Sequence, residues 1–415
     1  MPYPWPLLHE VRQEFARDEV ADVAAAVGAG VRRLAAPAHA RPGARVGITA
    51  GSRGIDRIDA VLSAVAEWVR AAGARPFILA AMGSHGGATE AGQRQVLAGY
   101  GITEERVGCP VETDTDVERV GETAEGIPVL CSRKACAADG LIVVNRVKPH
   151  TILTGDQGSG LMKMMAIGLG GPRGADAIHA GGLTAHLLPC ARVLLRRLPV
   201  LFGVAVVENA FDRVCDIEAV APAHFEEADR RLLARTRALL PSIPFDPVDV
   251  LVVCRMGKNI SGAGMDPNVI GMYRRLGGVP DRSIERIVVL DLTAESHGNA
   301  IGVGMADVTT ERLARAIDWA ATRANGLTST FFGGIKLPVA LPSDRDAIAA
   351  AARGFPPDRI RLAVIEDTAH LDRMYVSAAL AREGAGRERL RVSTEATPME
   401  FSPAGELLRP HFRSS

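Results

Sequence analysis

Residues 44–54 read ARVGITAGSRG, and residues 75–87 read RPFILAAMGSHGG. Each is a short apolar run that ends in a glycine-rich turn. Between them, residues 55–72 carry Ile58, Val61, Leu62, Val65 and Val69 at three- and four-residue spacing, which predicts a helix. A second helix opens at residues 88–90. Strand, glycine-rich loop and helix, twice in succession, predict an α/β fold on a largely parallel sheet. Ligands of such sheets sit outside the carboxyl ends of the strands. Arg53 and His85 fall there, and a third apolar run at residues 141–147 delivers His150 to the same end. The three side chains are expected to converge on one crevice.

The stretch that follows is the richest in chemistry. Lys148-Pro149-His150 leads to Gly158-Ser159-Gly160, then to Lys163, and a further glycine cluster precedes His179. Asp156 and Asp176 are the acidic residues of this segment. Glycines at such density let backbone and side chains approach a bound group. The pattern lacks the spacing and the Lys-Ser/Thr ending of a nucleotide P-loop. Histidine serves as acid and base near neutral pH, so His85 and His150 on opposite sides of one substrate suit a racemisation. His179 offers a neutral imidazole to a soft metal. No HExxH pattern is present, which argues against a zinc hydrolase.

At 415 residues the chain is long for one core, and two domains are expected. Lys and Arg number 48 against 48 Asp and Glu, so no basic footprint for nucleic acid appears. No apolar window is long enough for a membrane span, and the proline- and acid-containing start does not read as a signal peptide. The six cysteines are scattered without a CxxC pair, so neither a disulfide framework nor a cysteine zinc site is indicated, and a cytoplasmic location is expected. The proline-rich stretch 241–247 reads as a linker. It divides an N-terminal α/β domain, 1–246, from a C-terminal α/β domain, 247–395, with an active-site cleft between them; the tail, 396–415, is expected to pack back on the first domain. His9, His39, His186, His224, His370 and His411 read as ordinary, while His297, after a strong strand signal, is kept as a candidate.

Taken in order, Gly51-Ser52-Arg53, Gly83-Ser84-His85 with Thr89, Lys148-Pro149-His150, Gly158-Ser159-Gly160 with Lys163, and His179 resemble the nickel-pincer nucleotide-dependent lactate racemase family. The resemblance implies that Lys163 holds the pincer nucleotide (a pyridinium-3-thioamide-5-thiocarboxylate mononucleotide carrying nickel) through a thioamide. By the same resemblance His179 ligates nickel, His85 and His150 are the acid/base pair, and Arg53, with Ser52, Gly158 and Gly160, lies beside cofactor and substrate. The implied reaction is racemisation or epimerisation of a 2-hydroxy acid by reversible hydride transfer, after maturation by cofactor-biosynthesis proteins.

The sequence also departs from the family. Ala50 stands where lactate racemases carry an aspartate, and Gly86-Gly87 where Arg-Pro is common. After Met265–Val269 the family continues Tyr-Gln and then a lysine; here Ile270 and Gly271 follow, with Arg274 in the lysine position and Lys258 an alternative cation. Smaller residues there, with Asn259, Ser261, Asn268 and the Glu295-Ser296-His297 turn able to bond hydroxyls, point to a larger, polyhydroxylated acid such as an aldonate. Two other classes lack their sequence signals or leave residues unused. A nicotinamide-dependent oxidoreductase needs GxGxxG after the first strand, which is missing. A non-enzymatic cofactor or metal carrier would need neither His85 nor His150.

Overall fold

The computed structural model describes residues 4–34, 40–410 and 412. It divides into two compact units: Ala16–Leu240, and Met1–Phe15 together with Pro241–Ser415. The first strand, Leu8–Gln13 (β1), belongs to the second of these.

The first unit holds Arg45–Ala50 (β2), Arg75–Ala80 (β3), Val111–Glu112 (β4), a hairpin of Val117–Glu122 (β5) and Pro128–Ser132 (β6), Gly140–Arg146 (β7), Val200–Glu208 (β8) and Val214–Val220 (β9). Its main sheet runs β4-β3-β2-β7-β8-β9, parallel throughout except for β9 against β8. The central strands are apolar on both faces because both are covered. Val46 and Ile48 meet Val61, Leu62, Val65 and Val69 of the helix Ile58–Ala71 in one core. On the other face Phe77, Leu79, Leu141 and Val143 meet Leu187, Leu194 and Leu232. Each such side chain, fully buried, contributes about 1.5–3 kcal/mol of transfer free energy.

In the second unit, Val248–Met256 (β10), Ile284–Leu292 (β11), Val308–Thr310 (β12), Val339–Leu341 (β13) and Leu362–Ile365 (β14) form a parallel set. Arg373–Ser377 (β15), β1 and Leu390–Thr397 (β16) extend it with antiparallel pairings, giving the order β13-β12-β11-β10-β14-β15-β1-β16. The α/β class and the largely parallel sheets match the expectation.

The domain limits differ from those expected. Ile243 and Phe245, lying among the prolines of 241–247, are buried in the core of the second unit, so this stretch is part of that unit rather than a linker. Residues 8–13 leave the first domain for the second because Leu8 and Val11 are buried on opposite faces of its sheet. The tail also packs there: Met399, Phe401, Leu407 and Phe412 join Leu8 and Tyr375, with Trp5 and Phe401 rings 4.8 Å apart.

Val308-Thr309-Thr310 pairs with β11 and β13, and the helix Glu311–Ala316 that follows is then broken. Ile317 is extended and buried, and Asp318 caps a new helix, Trp319–Thr328, by accepting from the N–H of Ala320 and Ala321. No helix among the described residues is long and apolar enough to cross a membrane. All six cysteines are free thiols. His39 and His411 lie outside the described residues.

Candidate active site

In the first unit the chain runs outward from β2 to β3 and β4, then returns to place β7 on the other side of β2. The order of the strands therefore reverses between β2 and β7. In an open parallel sheet that reversal opens a crevice at the carboxyl edge. Arg53 follows β2, and His150 follows β7. His85 follows β3, the next strand over.

The turn after β2 is held from two directions. Tyr100 donates its hydroxyl to the carbonyl of Ser52 at 3.2 Å, and the Ser52 hydroxyl lies 2.6 Å from Nδ1 of His85. Ser52 thus ties the loop after β2 to the loop after β3. His150 accepts at Nδ1 from the backbone N–H of Ile152 at 3.3 Å.

Beyond β7, Lys148 and Ser159 pair backbone to backbone in both directions at 3.1 and 2.8 Å, pinching off the loop between them. A short helical turn, Leu161–Lys163, follows and passes directly into a π turn, Met164–Gly168. Such wide turns are uncommon and gather at functional sites. The turn packs against both neighbouring loops. A Cβ on Gly51 would lie 3.1 Å from Met164 Cε, and the left-handed Gly83 (φ 57°) donates its N–H to the carbonyl of Gly168 at 3.4 Å. The helix Gly171–Gly181 then carries His179 in its last turn.

Asp229, on the helix Phe225–Leu239, anchors the start of this segment by accepting from the N–H groups of Leu161 and Met162 at 2.9 and 2.8 Å. Asn145 adds a bond from Nδ2 to the carbonyl of Gly160 at 2.6 Å. The glycine pair expected beside the cofactor has a packing role here. A Cβ on Gly160 would fall 2.4 Å from Asp229 Oδ1, and one on Gly158 would fall 2.8 Å from the Lys148 carbonyl. Burial raises the Asp229 carboxyl to about 6 against the opposing pull of its two N–H donors.

Charge completes the picture. Lys163 reaches Ser159 Oγ at 3.4 Å; burial, and then the positive charge of Arg53, lower its amine to about 7. His179 keeps surface exposure, yet loss of water and then the Lys163 charge hold its imidazole below the ordinary value, with Asp176 opposing. Arg53 is likewise exposed as a residue while the surrounding chain strips enough water to lower its guanidinium, Tyr100 pulling upward and Arg146 downward. Arg146 is paired with Glu208, and Lys148 lies 3.7 Å from Asp212. Arg53 has no hydrogen bond or ion pair to any described residue. Arg53, Lys163 and His179 thus share one electrostatic neighbourhood in which an uncompensated cation stands beside an amine and an imidazole poised to be neutral.

The remaining candidates sit in the second unit. Lys258, after β10, donates from Nζ to the carbonyl of Gly262 and to Asn325 Oδ1, both at 2.9 Å. Asn259 accepts from the Thr293 hydroxyl at 2.7 Å, and Asn268 donates to Asp266 at 2.8 Å. His297 is exposed in a left-handed turn after β11. Arg274 is spent on structure: its guanidinium bonds the carbonyls of Met305, Ile284 and Glu285 and pairs with Asp307 at 3.1 Å, with its side chain only 9% exposed. Ile270 is wholly buried in the core, so it is no pocket wall. His370, read as ordinary, holds its Nδ1 2.9 Å from both oxygens of the buried Asp367.

Asp229 and Asn145 escaped the sequence reading. Asp229 lies among charges that read as a helix's outer face, and nothing near it in sequence marks it as inward. Asn145 stands inside an apolar strand run, which is a usable signal for a buried polar anchor.

The profile of the lactate racemase N-terminal domain matches residues 9–186. The structure of the lactate racemase apoprotein from Thermoanaerobacterium thermosaccharolyticum is similar in fold, with a TM-score of 0.55 at 12% identity over 86% of this chain and 94% of that one. A crystal structure of a protein from Thermotoga maritima gives a TM-score of 0.46 at 14% identity, covering 67% of this chain and 72% of that one. No curated protein matches the sequence.

Proposed function

We propose that this chain, which belongs to a lactate racemase-like family, is a racemase or epimerase of 2-hydroxy acids that works with a nickel-pincer nucleotide. The observation that carries the reading is the Arg53–Lys163–His179 neighbourhood at the carboxyl edge of the first unit's sheet.

The residues present fit such a group. An amine near 7 is substantially neutral at physiological pH, so Lys163 is a suitable attachment point. His179, held below its ordinary pKa, offers the neutral imidazole that a nickel ion needs. Among the described residues no three His, Cys, Asp or Glu side chains are grouped to hold a metal. When bound, the group supplies a hydride acceptor and donor.

The chain's own residues do the rest. Arg53, without an acidic partner among the described residues, binds the substrate carboxylate and fixes the carbinol carbon. His85 and His150 hold and move the hydroxyl proton, each as base for one hand of the substrate and acid for the other. Maturation requires the proteins that make and load the cofactor.

The substrate we favour is a polyhydroxylated acid of the aldonate type rather than lactate. Asn259 Nδ2, Asn268 Oδ1, the Ser261 hydroxyl donor and the His297 ring have no partner among the described residues, and they follow β10 and β11 in the second unit. These hydroxyl-bonding side chains are what supports the reading of a polyhydroxylated substrate.

The test is intact mass and nickel content of protein produced alongside the pincer-nucleotide biosynthetic enzymes. A nucleotide-sized mass on Lys163 with about one nickel per chain is expected, followed by epimerisation of sugar acids in a panel that includes lactate. Turnover by material lacking both mass and nickel overturns the cofactor assignment. Activity on lactate alone overturns the substrate assignment.

A further inference from the structure

We propose that Ser52 is a positioning residue that lets His85 act as acid and as base without turning its ring. The inference rests on the reading of His85 as an acid/base group, and its structural half stands without that reading.

A reversible racemase makes an unusual demand on its histidines. Each must take a proton when one hand of the substrate enters and give one when the other hand enters. A carboxylate partner at Nδ1 holds one tautomer and biases the ring towards its charged form. The chain contains that arrangement elsewhere. His370 is held by both oxygens of Asp367, and the bond to Asp367 raises its imidazole above the ordinary value, with burial opposing.

His85 is held differently. Its Nδ1 lies 2.6 Å from the Ser52 hydroxyl. A hydroxyl both donates and accepts, and its proton swings between the two roles at little cost. When Nδ1 carries a proton, Ser52 accepts it; when Nδ1 is bare, Ser52 donates to it. The ring therefore stays in place through either protonation state. The hydroxyl is itself well placed to do this. Its residue is pinned through its carbonyl by Tyr100, whose ring also packs 3.1 Å from where a Cβ on Gly54 would be.

The first measurement needs no cofactor. Long-range proton–nitrogen NMR of the apo chain reports the tautomer of His85, assigned by loss of its signals in His85→Gln. Ser52→Ala is expected to move the Nδ1 resonance and shift the tautomer balance, and Ser52→Thr to restore both. Ser52→Asp is expected to raise the His85 pKa by at least about one unit.

In the loaded enzyme, Ser52→Ala should lower kcat in both directions by the same factor, about tenfold, with KM little changed. Ser52→Asp should move the acidic limb of the pH profile upward, and Ser52→Thr should recover most of the rate. If Ser52→Ala leaves the His85 nitrogen shifts and the pH profile untouched, the positioning role is wrong. If the NMR results hold while His85→Gln racemises at the full rate, it is the acid/base reading of His85 that fails.

Discussion

The carboxylate of Asp229 lies 2.9 Å from the backbone nitrogen of Leu161, two residues before the amine of Lys163, although the two residues are 68 positions apart in sequence. A second oxygen meets Met162, so one side chain satisfies two of the N–H groups that a helical turn leaves open at its start. Asp229→Ala should cost about 2 kcal/mol in urea unfolding, because two buried donors lose their acceptor. Asp229→Asn should cost less, since one oxygen remains. Equal losses for the two variants would show that the bonds do not hold the turn.

Gly160→Ala tests the same contact from the other side. The new methyl would sit 2.4 Å from Asp229 Oδ1, with the Asp229 carboxyl carbon at 2.5 Å, so the turn must move. A loss of about 1–3 kcal/mol is expected, together with failure of Lys163 to acquire the nucleotide mass. Gly99→Ala is a useful control for the effect of a glycine substitution, because nothing lies within 4 Å of its Cβ position and its backbone is helical.

The lowered amine of Lys163 has a consequence for stability that is independent of catalysis. The folded value is about 7, against about 10.4 in an unfolded chain. Below about 7 both states carry the proton, and the cost of burying the charge is fully present. Between about 7 and about 10 the unfolded chain binds the proton that the folded chain has released, so stability rises with pH. Lys163→Met should therefore raise the melting temperature of the apo chain most at pH 6, and the gain should shrink as pH climbs towards 10. A gain independent of pH would mean that the amine is not desolvated.

Arg274→Ala is expected to destabilise the second unit by about 2–4 kcal/mol, since three carbonyls and Asp307 lose a largely buried donor. Thermal unfolding of the variant would show this directly. Wild-type stability in Arg274→Ala, combined with a raised KM, would return Arg274 to substrate binding.

Much of the first unit was legible because its signals are local. The runs at 44–50, 75–80 and 141–147 are short and apolar, the first two running into glycine-rich turns, and the helix Ile58–Ala71 carries a continuous three-four spacing. The positions of Arg53, His85 and His150 at one edge followed from that grammar and from the parallel sheet. What failed was non-local. β1 has only Leu8 and Val11 to offer, on opposite faces, and its strand identity comes from β15 and β16. The 241–247 stretch was misread because proline content outweighed two buried side chains, Ile243 and Phe245. Arg274 was assigned by register with a family pattern, and register says nothing of the carbonyls that surround it.

The placement of β1 between β15 and β16 also sets an order of assembly. Ribosomes deliver the chain from its amino end, so Leu8–Gln13 emerges first and finds neither neighbour. All the strands of the sheet in Ala16–Leu240 become available before β10 has been made, and that unit can close while β1 still waits. The second sheet is complete only after Leu390–Thr397 arrives. A stalled or truncated product would thus carry a complete first-unit sheet and an unfinished second sheet with an exposed edge, which is the form of the protein most open to aggregation and proteolysis.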